Sequence, residues 1–243
     1  MDWFFSDNIG HENDTCLITG EDAVHITKSL RMSVGEVITL CDSKNKEYLC
    51  KIERITADGV LVRIASRQEC NHEPDISLTL YFALTKGDKP ETVIQKCIEL
   101  GVTEIVPVLT DRCVSRPDAK AAARKLARYQ KIALQAAMQS RRGIIPQVRP
   151  MISLKEAAKD LAGYDKAILF YEGGGQPLRS IIGADDKKLA VFIGPEGGFE
   201  EREVELLTES GAVTATLGKR ILRAETAPIA AAAAIMFHTG NLE

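Results

Sequence analysis

The stretch best suited to holding another molecule is Gly194-Pro195-Glu196-Gly197-Gly198, with three glycines and a proline in five positions. A loop this poor in side chains exposes backbone N–H and C=O groups to direct contact. It is not a phosphate cradle, because it matches neither G-x-G-x-x-G nor G-x-x-x-x-G-K-[ST]. A second chemical feature is charge. Between Arg112 and Arg149 stand ten Lys/Arg and one acid, Asp118, within a chain whose net charge is −3. Such a segment suits either a polyanion or a solvated helix face, and its imbalance favours nucleic acid. Cys70-Asn71-His72 could seed a metal site, but zinc needs about four ligands at suitable spacing. The pair reads as a loop cysteine and a solvent histidine, so no metal is expected.

These residues need elements to position them. Residues 1–71 read as a small β-barrel domain. Val37–Leu40, Tyr48–Ile52 and Val60–Ile64 are short β-prone runs separated by turn signals. His25–Arg31 reads as a short helix. The polar stretch Asn71-His72-Glu73-Pro74-Asp75 divides two patterns, and residues 72–243 form the second domain. There strand and helix alternate: strand 78–84, helix 91–100 with Pro90 at its first turn, strand 105–109, helix 118–140, helix 153–162, strand 166–172, strand 189–193, strand 212–217. This alternation implies a mainly parallel sheet covered by helices, an α/β fold. In helix 118–140, Lys120, Arg124, Arg128 and Lys131 recur at helical spacing opposite Leu126, Tyr129, Ala133 and Ala137.

The last helix is apolar all round. Thr226 reads as its cap and Pro228 lies in its first turn, followed by Ile229-Ala230-Ala231-Ala232-Ala233-Ala234-Ile235-Met236-Phe237. Such a helix is buried on every side, either within one chain or against a partner subunit.

Three strand ends carry special loops: 170–175, 194–198 and 217–225. Ligands of open α/β sheets bind outside the carboxyl ends of the strands. Backbone-rich loops converging there suit a purine base, whose ring nitrogen accepts and whose amino group donates; tight turns are the plainer alternative. Without a phosphate cradle, a nucleoside fits better than a nucleotide, and S-adenosylmethionine is such a molecule.

The chain resembles the RsmE-type 16S rRNA (uracil-N3)-methyltransferases of the SPOUT superfamily. The stretches that carry the resemblance are Ala83–Lys89, Gln95–Val108, Gln130–Ala133, Ile193–Gly198 and Leu217–Ala227, in the family's order and across most of the chain. It implies a SPOUT-type, trefoil-knotted, parallel-sheet methyltransferase domain behind a PUA-like amino-terminal domain. It also implies a homodimer, S-adenosylmethionine as methyl donor, and a uridine of 16S rRNA in the small ribosomal subunit as acceptor. A SPOUT enzyme acting on tRNA and a non-catalytic RNA-binding protein are the alternatives.

With that ligand, cofactor contacts are expected from Leu169, Phe170, Tyr171, Glu172, Ile193, Gly194, Pro195, Glu196, Gly197, Gly198, Leu217, Gly218, Ile221, Leu222, Arg223, Thr226 and Ala227. RNA contacts are expected from Lys28, Arg31, Lys86, Arg112, Arg124, Arg128, Lys131, Arg141 and Arg142. Uracil N3 must lose its proton, and Arg223 and Glu225 are the candidates to stabilise the anion or accept the proton; an internal ion pair and a helix cap are the other readings of the two. The chain departs from the family pattern at Trp3 and Arg141, in expected RNA-facing parts, and at Pro228.

Composition bounds the rest. Hydrophobic content of 45% and charged content of 27% suit a soluble globular protein. No apolar run approaches the length of a membrane span, and Met1–Phe5 lacks the pattern of a signal peptide. Six cysteines without C-x-x-C spacing read as reduced thiols. A cytoplasmic protein is expected.

Overall fold

The computed structural model describes residues 2–6, 9 and 14–242. They fall into two compact units, 1–73 with 137–145, and 74–136 with 146–243.

The first unit is built on five strands: β1 (Trp3–Phe5), β2 (Thr15–Ile18), β3 (Val37–Cys41), β4 (Lys46–Ile55) and β5 (Val60–Glu69). Their order is β1-β3-β4-β5-β2, antiparallel except for the parallel β1–β3 pair. Tyr48, Cys50 and Ile52 on β4, and Val60, Val62 and Ile64 on β5, are buried, while Lys51 and Arg63 between them are exposed. This period of two marks half-buried strands. Register shifts at Leu49/Cys50 and Ile52/Arg54 curl the pair, as bulges do. Among the described residues the sheet is curled but open, with β1 and β2 at its edges. Gly59 turns β4 into β5. It has φ +148, and a Cβ there would lie 2.2 Å from the Ile18 carbonyl oxygen. The short helix expected at His25–Arg31 is a single π turn, His25–Ser29, continuing α1 (Gly20–Val24).

The second unit carries β6 (Ser77–Ala83), β7 (Glu104–Leu109), β8 (Gln147–Val148), β9 (Ile152–Ser153), β10 (Lys166–Phe170), β11 (Gln176–Pro177), β12 (Lys188–Ile193) and β13 (Ala212–Thr216). Every pairing in this sheet is parallel, in the order β11-β13-β10-β12-β6-β7-β8, with β9 beside β7. β6, β10 and β12 are buried along nearly their whole length, so they read as unbroken apolar runs. Tyr81 of β6 stacks on Phe192 of β12 with ring centroids 4.5 Å apart, and its hydroxyl meets Asp160 and Tyr164.

The helices of this part are α2 (Lys89–Glu99), α3 (Ala119–Gln139), α4 (Leu154–Asp160), α5 (Glu201–Glu209) and α6 (Thr226–His238). α2 starts with Pro90 in its first turn, where the missing N–H costs nothing. α3 buries Tyr129, Ala133 and Ala137; its end, from Ala137, belongs to the first unit. α6 packs on α2 and β12. Thr226 is the first residue of α6 rather than its cap. Glu225 takes the cap position, with no side-chain cap bond. No described helix is long and apolar enough to cross a membrane.

Candidate functional site

In a parallel sheet the carboxyl ends of all strands lie at one edge, and β10, β12 and β13 open there into a cavity of about 740 Å³. Phe170, Tyr171 and Glu172 line it after β10. Ile193 and Gly194–Gly198 line it after β12, and Thr216–Ala224 after β13. Ala227 of α6 completes the wall. Two residues expected there are elsewhere. Leu169 is fully buried in the core beside Phe192 and Leu207, and Thr226 does not reach the wall. Sequence reasoning missed Lys89, Thr216, Lys219, Arg220 and Ala224. Lys89 joins them because β6 pairs with β12, so the loop after β6 opens at the same edge.

Lys89 ties the cavity loops together. Its Nζ lies 2.9 Å from Glu196 Oε1 and 3.4 Å from Glu225 Oε2. Its pKa is raised, first through the hydrogen bond to Glu196. Burial pushes Glu196 up, but Lys89, the residue's own N–H and Lys86 outweigh it and hold the carboxyl below the usual range. The Glu225 carboxyl is also held low, first by its own backbone N–H, then by Lys89 and Arg223. Arg223 is exposed on the cavity wall. Next to it Ile221 presents an apolar side chain that is 81% exposed.

The Gly194–Gly198 loop has little freedom. Gly198 adopts φ +70, and a Cβ there would sit 1.9 Å from Glu172 Oε1. A Cβ on Gly194 would come within 3.1 Å of the Phe199 ring. Arg112 braces the loop from outside, donating to the Gly197 carbonyl and, at 2.8 Å, to Glu200 Oε1. Glu203 is buried and accepts from the N–H groups of Asp111 and Glu200. The guanidinium of Arg112, expected at RNA, is thus occupied in shaping this loop.

The other basic candidates divide by exposure. Arg124, Arg128 and Lys131 are exposed on α3, with Arg128 2.7 Å from Glu91. Lys86 is exposed on the loop after β6, and Lys28 and Arg31 are exposed in the first unit, Arg31 at φ 55. Arg141 is exposed at φ 58. Arg142 is not available to RNA in this structure. Its side chain is 3% exposed and forks onto Glu73, Nε to Oε1 at 3.1 Å and Nη2 to Oε2 at 2.5 Å. Glu73 Oε1 also accepts from the N–H groups of Gly143 and Ile144.

The RNA methyltransferase domain family matches residues 72–236, and the RNA methyltransferase PUA domain family matches 18–65. A relative in Bacillus subtilis named ribosomal RNA small subunit methyltransferase E is 37% identical over 235 residues, 94% of this chain and 92% of its own. The chain belongs to the ribosomal RNA small subunit methyltransferase E family. It is therefore an enzyme of RNA methylation, with a PUA-like amino-terminal domain and a parallel-sheet methyltransferase domain. Two solved structures are similar throughout. One is the family member of Neisseria gonorrhoeae bound to S-adenosyl methionine, 32% identical with a TM-score of 0.90, covering 98% of this chain and 97% of its own. The other is a putative methyltransferase of Legionella pneumophila in complex with the same cofactor, 32% identical with a TM-score of 0.89, covering 97% and 96%.

Proposed function

We propose that this enzyme transfers the methyl group of S-adenosylmethionine to N3 of one uridine in 16S rRNA of the small ribosomal subunit. The cavity at the strand ends, walled by backbone and by Arg223, carries the reading.

The residues present fit that donor. Phe170, Ile193, Leu217, Ile221 and Leu222 offer apolar surface to a purine, and the glycine loops offer backbone donors and acceptors. The missing Cβ at Gly198 leaves room for the Glu172 carboxylate at the cavity wall. The carboxylates Glu172 and Glu196 suit a ligand carrying positive charge. When bound, S-adenosylmethionine supplies a methyl group on a sulfonium, open to in-line attack. The protein's own part is to position the uracil and favour loss of its N3 proton. Arg223 does this by charge, stabilising the anion where it forms while the N3 proton passes to solvent water. Glu225 acts as a hydrogen-bond acceptor, because a carboxyl held below its usual range is a poor base near neutrality. Since N3 lies on the pairing edge, the uridine has to leave any stack to reach the cavity.

Residues 1–71 serve RNA binding and 72–243 the chemistry. RNA contacts fall to Lys28, Arg31, Lys86, Arg124, Arg128, Lys131 and Arg141, each exposed. Two copies associate through α6, where Ala231, Ala232, Ile235 and Met236 are buried while Phe237 is 63% exposed and Ile229, Ala230, Ala233 and Ala234 are part-exposed. The trefoil knot belongs to the same proposal: β12 lies between β10 and β6 and α6 packs on α2 and β12, which is compatible with a threaded carboxyl-terminal segment. The enzyme works in the cytoplasm, where its ribosomal substrate is.

Incubating the purified enzyme and labelled S-adenosylmethionine with small ribosomal subunits or with tRNA tests the substrate. Label is expected in the 16S rRNA. Label in tRNA alone would overturn the reading.

A further inference from the structure

A cluster in the first unit has the composition of a metal site. Glu47 of β4, Cys70 just after β5 and His72 two residues on bring one carboxylate oxygen, one sulfur and one imidazole nitrogen within 4.8 Å of one another. Cys70 Sγ and His72 Nδ1 are 3.3 Å apart. Tetrahedral zinc, with bonds of about 2.0–2.3 Å, sets its ligand atoms roughly 3.4–3.6 Å from one another. The Cys–His pair already stands close to that spacing, and a side-chain adjustment of about 1 Å brings in the carboxylate.

A second observation points the same way. Glu47 Oε2 is buried without a hydrogen-bond partner among the described residues, while Oε1 of the same carboxylate accepts from Gln68 Nε2. One oxygen held and one left over is the arrangement of a carboxylate fixed for monodentate ligation. Buried polar atoms are otherwise nearly always paired. Asn45 Oδ1 is buried and unpartnered too. A Cβ on Gly143 would meet it at 2.2 Å and Cys70 Sγ at 3.0 Å, so the two atoms are neighbours. The Trp3 ring stands edge-on to His72, with centroids 5.7 Å apart.

We propose that Glu47, Cys70 and His72 bind a divalent transition-metal ion of the zinc class, with water as fourth ligand. On binding, the Cys70 thiol loses its proton to solvent and the sulfur–metal bond forms; no redox step is involved. The ion joins the start of β4 to the segment after β5. That segment continues into Glu73, which holds Arg142 and the Gly143 and Ile144 N–H groups. The ion is thus a staple for the first unit.

Titrating the reduced, metal-free, full-length chain with Co²⁺ tests this. One equivalent is expected to bind with a thiolate-to-cobalt charge-transfer band, and Zn²⁺ is expected to bleach that band. His72→Ala changes an exposed side chain, so the variant is expected to fold normally by circular dichroism. It and Glu47→Gln are each expected to weaken binding tenfold or more, whereas Cys113→Ser leaves it unchanged. Zn²⁺ is expected to raise the melting temperature of the parent chain and not of His72→Ala. Absence of a thiolate band, or a band equally strong in His72→Ala and Glu47→Gln, would overturn the proposal.

Discussion

Replacing Arg142 by alanine separates a structural cation from an RNA-binding one. The Arg142 side chain is 3% exposed and Glu73 is 12% exposed, so the variant leaves a carboxylate in a largely water-free place without its cation. Removing one member of a buried pair typically costs about 3–5 kcal/mol. Glu73 retains the Gly143 and Ile144 N–H groups at 2.9 and 3.2 Å, which offset part of its desolvation and point to the low end, about 3 kcal/mol. The chain's single tryptophan, Trp3, is buried with Cys41 and Cys70 in the same unit, so its fluorescence reports on that unit. With a urea m-value near 1.5 kcal/mol/M, the midpoint falls by about 2 M. Arg141→Ala changes an exposed residue and shifts the midpoint little, by up to about 0.5 kcal/mol in stability. Filter binding of 16S rRNA at two salt concentrations completes the assay: Arg141→Ala weakens binding and flattens the salt slope by about one unit. An unchanged urea midpoint in Arg142→Ala, with RNA affinity lost, would refute the reasoning and return Arg142 to the RNA.

Gly198→Ala forces a side chain into φ +70, costing about 1 kcal/mol, and displaces Glu172 from the space it fills. S-adenosylmethionine binding by calorimetry is expected to weaken about fivefold and the melting temperature to fall by about 2–4 °C; unaltered affinity contradicts the loop's role. Lys89→Met lets the Glu196 and Glu225 carboxyls rise toward the ordinary 4.5. A carboxylate with a lowered folded-state pKa stabilises the fold above its unfolded value and loses that contribution as pH falls through the folded one. The acid limb of the melting-temperature profile should therefore move to higher pH in the variant, and an unmoved limb would show that Lys89 does not hold the pair. Phe237→Glu places a charge on the part-exposed apolar face of α6 and is expected to yield a monomer in sedimentation. A dimer of unchanged affinity would remove α6 from the interface.

Local pattern carried much of this architecture. β6, β10 and β12 are readable because strands covered on both faces are apolar without interruption, and α2 because Pro90 marks its start. The loop at Gly194–Gly198 stands out because three glycines and a proline in five positions leave it few side chains. Long-range pairing was beyond such reading. Arg142 looked like one more cation of a basic run, since its partner Glu73 lies 69 positions away. Arg112 likewise meets Glu200 across 88 positions. Lys89 entered the cavity only once β6 was known to pair with β12. Glu47 could not be joined to Cys70 and His72 without the fold that brings β4 beside β5. Leu169 and Thr226 are the two expected contacts that the fold turns away, Leu169 lying in the core and Thr226 off the cavity wall.

The central claim is methyl transfer to uracil N3. The direct measurement is mass mapping of 16S rRNA from cells lacking this protein, before and after incubation with the purified enzyme and S-adenosylmethionine. The account predicts one uridine that lacks a base methyl group in the deletion strain and gains it in the reaction, at N3, with Arg223→Ala unable to restore it. Gain of the methyl group at a ribose or at another base, or full restoration by Arg223→Ala, would contradict it.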